Sequence, residues 1–296
     1  MDNVLTLIAG SGRLDESMVS YAAATLQGAG GEVAPPDWLD YGKAVDLQFT
    51  GLSCQDGVDL AFEAIEDAPI DAVTQPINGR RKRLLIADME STIIENEMLD
   101  ELADELGLRD QIADITARAM NGELDFAGAL RERVGLLAGL EEAALERARE
   151  KIRFMPGAKA LVATMRRHGA YCALVSGGFS YYTAYVRASV GFDTDQANRL
   201  EIEDGKLSGA VIEPILGRDA KREKLLALSA ERGVPPEAIL AVGDGANDLD
   251  MLAEAGLGVA YHAKPVVARS ADARIDHADL TALLYLQGYR RDEFAD

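Results

Sequence analysis

The sequence predicts an α/β protein whose main unit is a doubly wound, mostly parallel sheet with an inserted helical cap, preceded by a smaller α+β module. Three observations carry this. Beyond Arg83 short apolar runs alternate with helical patterns, as in strands buried on both faces. A long Ala-, Leu-, Glu- and Arg-rich stretch separates the first two runs. The first 77 residues instead read strand, helix, strand, strand, helix, strand.

In that first part the expected strands are Val4–Ala9, a stretch around Glu32–Ala34, Ala44–Phe49 and Ala72–Gln75, with helices at Glu16–Gln27 and Val58–Glu66. This is the ferredoxin-like order. The first helix starts at Asp15 or Glu16 and stops at the Gly28–Gly31 cluster, and Pro35-Pro36 argues against regular pairing just beyond. The basic run Arg80-Arg81-Lys82-Arg83 follows Asn78-Gly79 and reads as an exposed linker. Residues 1–79 therefore form one unit and 80–296 the other.

The main unit's runs are Leu84–Ala87, Cys172–Val175, Ile239–Val242 and Gly258–Ala260. Residues 97–153 between the first two carry apolar residues at helical spacing, as in Leu99, Leu102, Ala103 and Leu106, and read as the inserted cap. Asp204-Gly205-Lys206 joins Leu200–Glu203 to Leu207–Ile212 in a β-hairpin.

The chain has 296 residues, 48% of them hydrophobic and 27% charged, a globular balance with room for two units. A formal net charge of −20 argues against nucleic acid as a partner, and any phosphate site must bring its own local positive charge or backbone amides. No apolar stretch approaches a membrane span, and Met1-Asp2-Asn3-Val4 lacks a signal-peptide pattern. With two cysteines, Cys54 and Cys172, the second inside an apolar run, a cytoplasmic protein with reduced thiols is expected.

Four sites carry chemistry. Asp88-Met89-Glu90-Ser91-Thr92 follows the first apolar run, where the carboxyl ends of strands present ligands in open α/β sheets. A carboxylate there can attack phosphorus and a second one two residues on can move protons, although an acidic turn capping a helix reads equally well. Ser176-Gly177-Gly178 ends the second run, with a hydroxyl and backbone amides that can approach a phosphate oxygen. Asp244 and Asp248, in Gly243-Asp244-Gly245-Ala246-Asn247-Asp248, suit a hard cation. Lys221 is a single cation that can sit beside them. The three histidines, His168, His262 and His277, are too dispersed for a zinc site.

In this order the four sites resemble the haloacid dehalogenase superfamily of phosphatases over roughly residues 83–285. Within it the chain is similar to the phosphoserine phosphatase family, through Met120-Asn121-Gly122-Glu123-Leu124-Asp125-Phe126, Leu130-Arg131-Glu132-Arg133-Val134, Val175–Phe179 and Ala197-Asn198-Arg199-Leu200. The resemblance implies magnesium-dependent hydrolysis of O-phospho-L-serine, the last step of serine biosynthesis. Asp88 is then the nucleophile. Mg2+ is held by Asp88, the Glu90 carbonyl and Asp244, with Asp248 nearby. Ser176, Gly177, Gly178, Lys221 and Asn247 surround the phosphoryl group. Arg133 pairs with the substrate carboxylate and Glu97 with its ammonium, under a lid of Met120 and Phe126.

One position departs from the family pattern: Glu90 stands where the family carries a second aspartate. A backbone adjusted to the longer side chain, a slower enzyme and an altered residue all remain open. Two other functions compete: a different phosphomonoester phosphatase or phosphotransferase of the same superfamily, and a regulatory amino-acid-binding protein with an impaired core. The first module is similar to small amino-acid-sensing domains in element order, so serine binding and a homodimer interface are both open uses for it.

Overall fold

A computed structural model describes residues 1–66, 68–120 and 123–295. Its first sheet is built from β1 (Asn3–Ala9), β2 (Glu32–Val33), β3 (Asp37–Asp40), β4 (Ala44–Thr50) and β5 (Ile70–Pro76), crossed by α1 (Glu16–Gly28) and α2 (Cys54–Ile65). The strand order is β2-β4-β1-β5, with β1 antiparallel to both β4 and β5. This is the ferredoxin-like arrangement. The helices cover one face over Leu5, Leu7, Val45, Leu47 and Phe49, all removed from water.

Three expectations need correction here. A strand does follow Pro35-Pro36: β2 and β3 pair with the same edge of β4, at Phe49–Thr50 and Ala44–Asp46, and the prolines, which lack an N–H, interrupt that edge instead of ending it. Helix α2 starts four residues earlier than Val58, because Ser53 and Asp56 form a reciprocal capping box that satisfies two free N–H groups. The basic run is not an exposed linker. Arg80 pairs with Asp46 at 2.6 Å and donates to the carbonyls of Tyr285 and Leu286, while buried Lys82 donates to the Glu237 carbonyl at 2.8 Å.

The second unit follows the chain as β6 (Leu84–Ala87), α3 (Met98–Leu106), α4 (Arg109–Met120), α5 (Phe126–Gly135), α6 (Ala143–Glu150), α7 (Ala158–Arg167), β7 (Tyr171–Phe179), α8 (Ser180–Val190), β8 (Thr194–Glu203), β9 (Lys206–Ile212), α9 (Arg218–Arg232), β10 (Ile239–Gly243), α10 (Leu249–Glu254), β11 (Leu257–Tyr261), α11 (Pro265–Ala268), β12 (Ala273–Ile275) and α12 (Ala282–Leu286). The sheet order is β12-β11-β10-β6-β7-β8-β9, parallel except for the final pair. Strand β6 explains the continuous apolar reading. Leu85 and Ala87 enter the core on one face, Leu84 and Ile86 the core on the other, and none is exposed. Each such branched side chain contributes about 1.5–3 kcal/mol by leaving water.

Strand β8 serves two partners. Its first residues run parallel to β7, and it then turns to pair with β9 through Asp204-Gly205, whose φ values of 47° and 74° are those of a two-residue hairpin turn. Helices α3 to α6 lie between β6 and β7 in sequence and form the cap. Both cysteines are free thiols. Among the described residues no helix is long and apolar enough to cross a membrane.

The two sheets are joined by polar contacts. Asp71 of β5 accepts the backbone N–H groups of Asp276 and Ala278 at 2.8 Å each, and that of His277. Tyr285 of α12 donates its hydroxyl to Asp40 at 2.7 Å, and Gln75 donates to the Leu286 carbonyl at 2.6 Å.

Candidate active site

Strand register brings the sequence-distant motifs together. In the parallel sheet Ala87 lies opposite Val242 of β10 on one side and Leu174 of β7 on the other, so Asp88 and Asp244, just past their strands, and Ser176, just past the part of β7 that pairs with β6, share one edge. Strand order reverses here, since β7 and β8 extend the parallel sheet one way from β6 and β10 to β12 the other. Such a switch point opens a crevice in which backbone and side chains can meet a ligand. The N–H of Asp88 still donates to Val242 at 3.0 Å, which holds the turn against β10. Ser91, just beyond, adopts a left-handed conformation with φ 54°, a locally strained backbone for a residue with a Cβ.

Asp88, Lys221 and Asp248 form a buried row. The Lys221 ammonium, from the first turns of α9, lies 2.7 Å from Asp88 Oδ1 and 2.6 Å from Asp248 Oδ1. Asp248 is inaccessible to water, and its other oxygen accepts the Gly245 N–H at 3.0 Å. Its carboxylate is packed under Gly243, where a Cβ would fall 2.3 Å from its Cγ, so this approach requires glycine. Burial alone works against the Lys221 charge, but Asp88 and Asp248 outweigh it and raise its pKa. Burial lifts Asp88 well above the usual carboxylate range, Asp248 adds to this and Lys221 opposes it.

Asp244 is half-buried and accepts a hydrogen bond from the Thr92 hydroxyl at 3.3 Å. Burial, reinforced by Asp248, pushes its carboxyl up to about 6. Among the described residues Asp88, Asp244 and Asp248 each offer a carboxylate oxygen, all within 4.8 Å of one another. Three carboxylates face one lysine, and all the donors are hard oxygens. That composition fits a divalent cation such as magnesium, which binds oxygen at about 2.1 Å.

The phosphate-side groups surround this row. Ser176 is buried, and its Oγ accepts the Gly178 N–H at 2.9 Å, so the hydroxyl proton can point elsewhere. The Asn247 amide oxygen folds back over Gly245, and Lys221 is oriented by the two aspartates. Sequence reading assigned no part to Asn198, although it staples two of these loops. Its amide donates to the Gly177 and Leu216 carbonyls at 2.8 and 3.2 Å, and its Oδ1 accepts the Leu216 N–H at 2.7 Å. Asn198 thereby ties the Ser176 loop to the turn that launches Lys221. The one signal in the sequence is the Ala197-Asn198-Arg199-Leu200 match, and the structure adds that this polar side chain is buried within β8.

The cap reaches the crevice through α3 and α5. The Phe126 ring lies over Gly177 and Gly217, 3.2 and 3.4 Å from where their Cβ atoms would be. Arg133, half-buried one and a half turns or more along α5, has a guanidinium whose pKa is pulled down by burial while Glu90, Asp100 and Glu97 oppose this. Among the described residues it forms no salt bridge, and its Nε donates to the Ala129 carbonyl at 3.3 Å. Exposed Glu97 precedes α3 and accepts the Ser91 hydroxyl at 2.8 Å. The Met120 side chain lies outside the described residues.

Glu90 occupies the space between core and cap, where its Oε1 accepts the Met98 N–H at 2.9 Å. Burial, with the charge of Glu97 adding, pushes its carboxyl up to about 8. At neutral pH without metal it is therefore mostly protonated, the state needed for a general acid.

These raised carboxyls make stability depend on pH. The ordinary values are 4.5 for Glu90 and 3.8 for Asp244, against about 8 and about 6 in the folded chain, so the folded state holds protons more tightly than the unfolded one. Their stabilising protonation is fully present below the unfolded values and is lost as pH rises through 6 and then 8. In chelator the melting temperature is expected to fall between pH 5 and 8.5, and added magnesium to raise it most at the alkaline end. Thermal melts across that range check this; a chelator-treated protein that grows more stable toward pH 8.5 would contradict it.

The chain matches the haloacid dehalogenase-like hydrolases over residues 85–253, more than half its length. It is 43% identical to the phosphoserine phosphatase of Streptomyces coelicolor, over 79% of this chain and 57% of that protein, so it spans little more than half of that relative. A probable phosphoserine phosphatase from Vibrio cholerae, solved without ligand, superposes with a TM-score of 0.80 at 32% identity, covering 99% of this chain and 88% of that one. A phospho-aspartyl intermediate analogue of phosphoserine phosphatase gives a TM-score of 0.65 at 38% identity, over 69% of this chain and 98% of that one. Architecture, site and relatives agree, and the chain belongs to the haloacid dehalogenase-like hydrolase family.

Proposed function

We propose that this chain hydrolyses O-phospho-L-serine to serine and phosphate through a phospho-aspartyl intermediate on Asp88. The observation that carries the reading is the buried Asp88–Lys221–Asp248 row at the strand tips, with the half-buried Arg133 of the cap close enough to feel the charges of Glu90 and Glu97. One Asp88 oxygen attacks phosphorus as the bond to the serine oxygen breaks, and Glu90 gives its proton to that leaving oxygen. The Glu90 carboxylate then takes a proton from the water that attacks the acyl phosphate, which restores Asp88. Lys221 keeps a fixed positive charge beside the phosphoryl oxygens, with the Ser176 hydroxyl and the Gly177 amide as donors. When bound by Asp88, Asp244 and the Glu90 carbonyl, with Asp248 adjoining, magnesium supplies charge that offsets the carboxylates and the incoming phosphate. Phe126 covers the crevice and excludes water from the first step.

Arg133 and Glu97 give the reading its substrate. A guanidinium can hold a carboxylate in a bidentate pair, and a carboxylate nearby can accept an ammonium, which together describe an amino acid. With magnesium, phosphate release from O-phosphoserine is expected to exceed that from glycerol phosphate and sugar phosphates, and equal rates would sink the assignment. In Arg133→Ala the KM for phosphoserine is expected to rise roughly 10- to 100-fold, the loss of one charge-assisted pair, while glycerol phosphate hydrolysis is unchanged.

A further inference from the structure

Glu90 sits in a seat matched to its length. On one side its Oε1 accepts the Met98 N–H at 2.9 Å, a donor in the first turn of α3 with no partner inside the helix. The residue at the helix cap position, Glu97, makes no capping bond of its own, because its carboxylate is taken by Ser91. On the other side the Glu90 carboxylate rests on Gly178. A Cβ there would fall 2.7 Å from Oε2 and 3.1 Å from Cδ. Gly178 does not have a positive φ, so the backbone conformation would admit other residues, and what an added Cβ would meet is the end of the Glu90 side chain, which would have to move. Nor can the loop retreat easily: Gly178 is buried, its N–H is held by Ser176, and the neighbouring Gly177 carbonyl is held by Asn198.

We propose that Gly178 is a positioning residue for proton transfer: its bare Cα and the Met98 N–H together set where the Glu90 carboxyl stands, and bind the core's acid to the first helix of the cap. This rests on the reading of Glu90 as the proton-transfer group. A side chain shorter by one C–C bond, about 1.5 Å, would withdraw from both walls of the seat. Alanine at 178 therefore displaces a glutamate but has nothing to displace beside an aspartate.

The test is a cycle of four proteins: the native chain, Gly178→Ala, Glu90→Asp and the double variant, assayed with O-phosphoserine and magnesium. Gly178→Ala is expected to lower kcat about 10- to 100-fold with KM little changed, the scale of a 1 Å misplacement at a reacting centre. In the Glu90→Asp background the same alanine is expected to cost far less. Equal losses in the two backgrounds overturn the proposal. Thermal melting in chelator reads the seat without catalysis, and so separates this proposal from the assigned reaction. Alanine should lower the melting temperature of the native chain and leave that of Glu90→Asp unchanged, and equal shifts again overturn it. Should Gly178→Ala fail to fold, a folded double variant supports the seat, and a double variant that also fails refutes it.

Discussion

Asp88→Asn is expected to abolish phosphate release from phosphoserine, by on the order of 10⁴-fold or more, because removing a covalent nucleophile removes the path and leaves only binding and charge stabilisation. The fold should survive. Asn has nearly the same shape, Lys221 keeps its bond to Asp248, and a carboxylate whose ionisation is disfavoured by burial has been removed. The measurement is magnesium-dependent phosphate release alongside a thermal melt. Activity retained in a protein that melts like the native one would mean that Asp88 is not the nucleophile.

Lys221→Met is expected to have the largest effect on stability. The substitution leaves Asp248, which has no exposed surface, and Asp88 facing each other without the cation that lies within 2.7 Å of both. Breaking a buried ion pair by deleting one partner costs about 3–5 kcal/mol, or roughly 10 °C in melting temperature for a chain of this size. Magnesium should restore part of that loss, and acidification another part, since protonating Asp88 relieves the repulsion. Turnover should fall with it by at least about 10²-fold, the scale for losing one preorganised charge at a developing anion. A variant with the native melting temperature in chelator would show that the row is not held by its lysine.

The site was legible because its chemistry lies at the ends of strands that are legible. Leu84–Ala87 and Ile239–Val242 are apolar on both faces, so the carboxylates that interrupt them must emerge from the sheet edge, and short-range pattern locates Asp88 and Asp244. Register then joins residues more than 150 positions apart, a relation that no local pattern contains. Lys221 was expected beside Asp244 and Asp248, but the bond of Asp248 to the Gly245 N–H and those of Asn198 to Gly177 and Leu216 depend on how turns fold back on one another, which residue types do not show. The same holds for Glu90. Its neighbours in sequence show an acid beyond a strand, whereas its environment comes from Met98 and Gly178, which belong to other elements.

The fold failed to read locally for related reasons. Strand β12 is three residues with an exposed arginine at its centre, too short to show a period. Strand β3 exists because β4 offers an edge to pair with, despite the prolines before it. Arg80 and Lys82 looked like solvated linker residues because charge is usually solvated, and only the distant Asp46, Tyr285, Leu286 and Glu237 make their burial tolerable.

The contacts of Arg80 and Asp71 also decide how the chain loses its structure. Asp71 gathers three consecutive amide protons from the segment after β12, and Arg80 joins β4 to the carbonyls of α12. Parting the first sheet from the second would strand a carboxylate, a guanidinium and several main-chain groups in one event. The small sheet is thus not a passenger on a tether. It shares its folding free energy with the larger sheet, so a substitution in β1 or β4 is expected to shift the stability of the distant strand edge that carries Asp88.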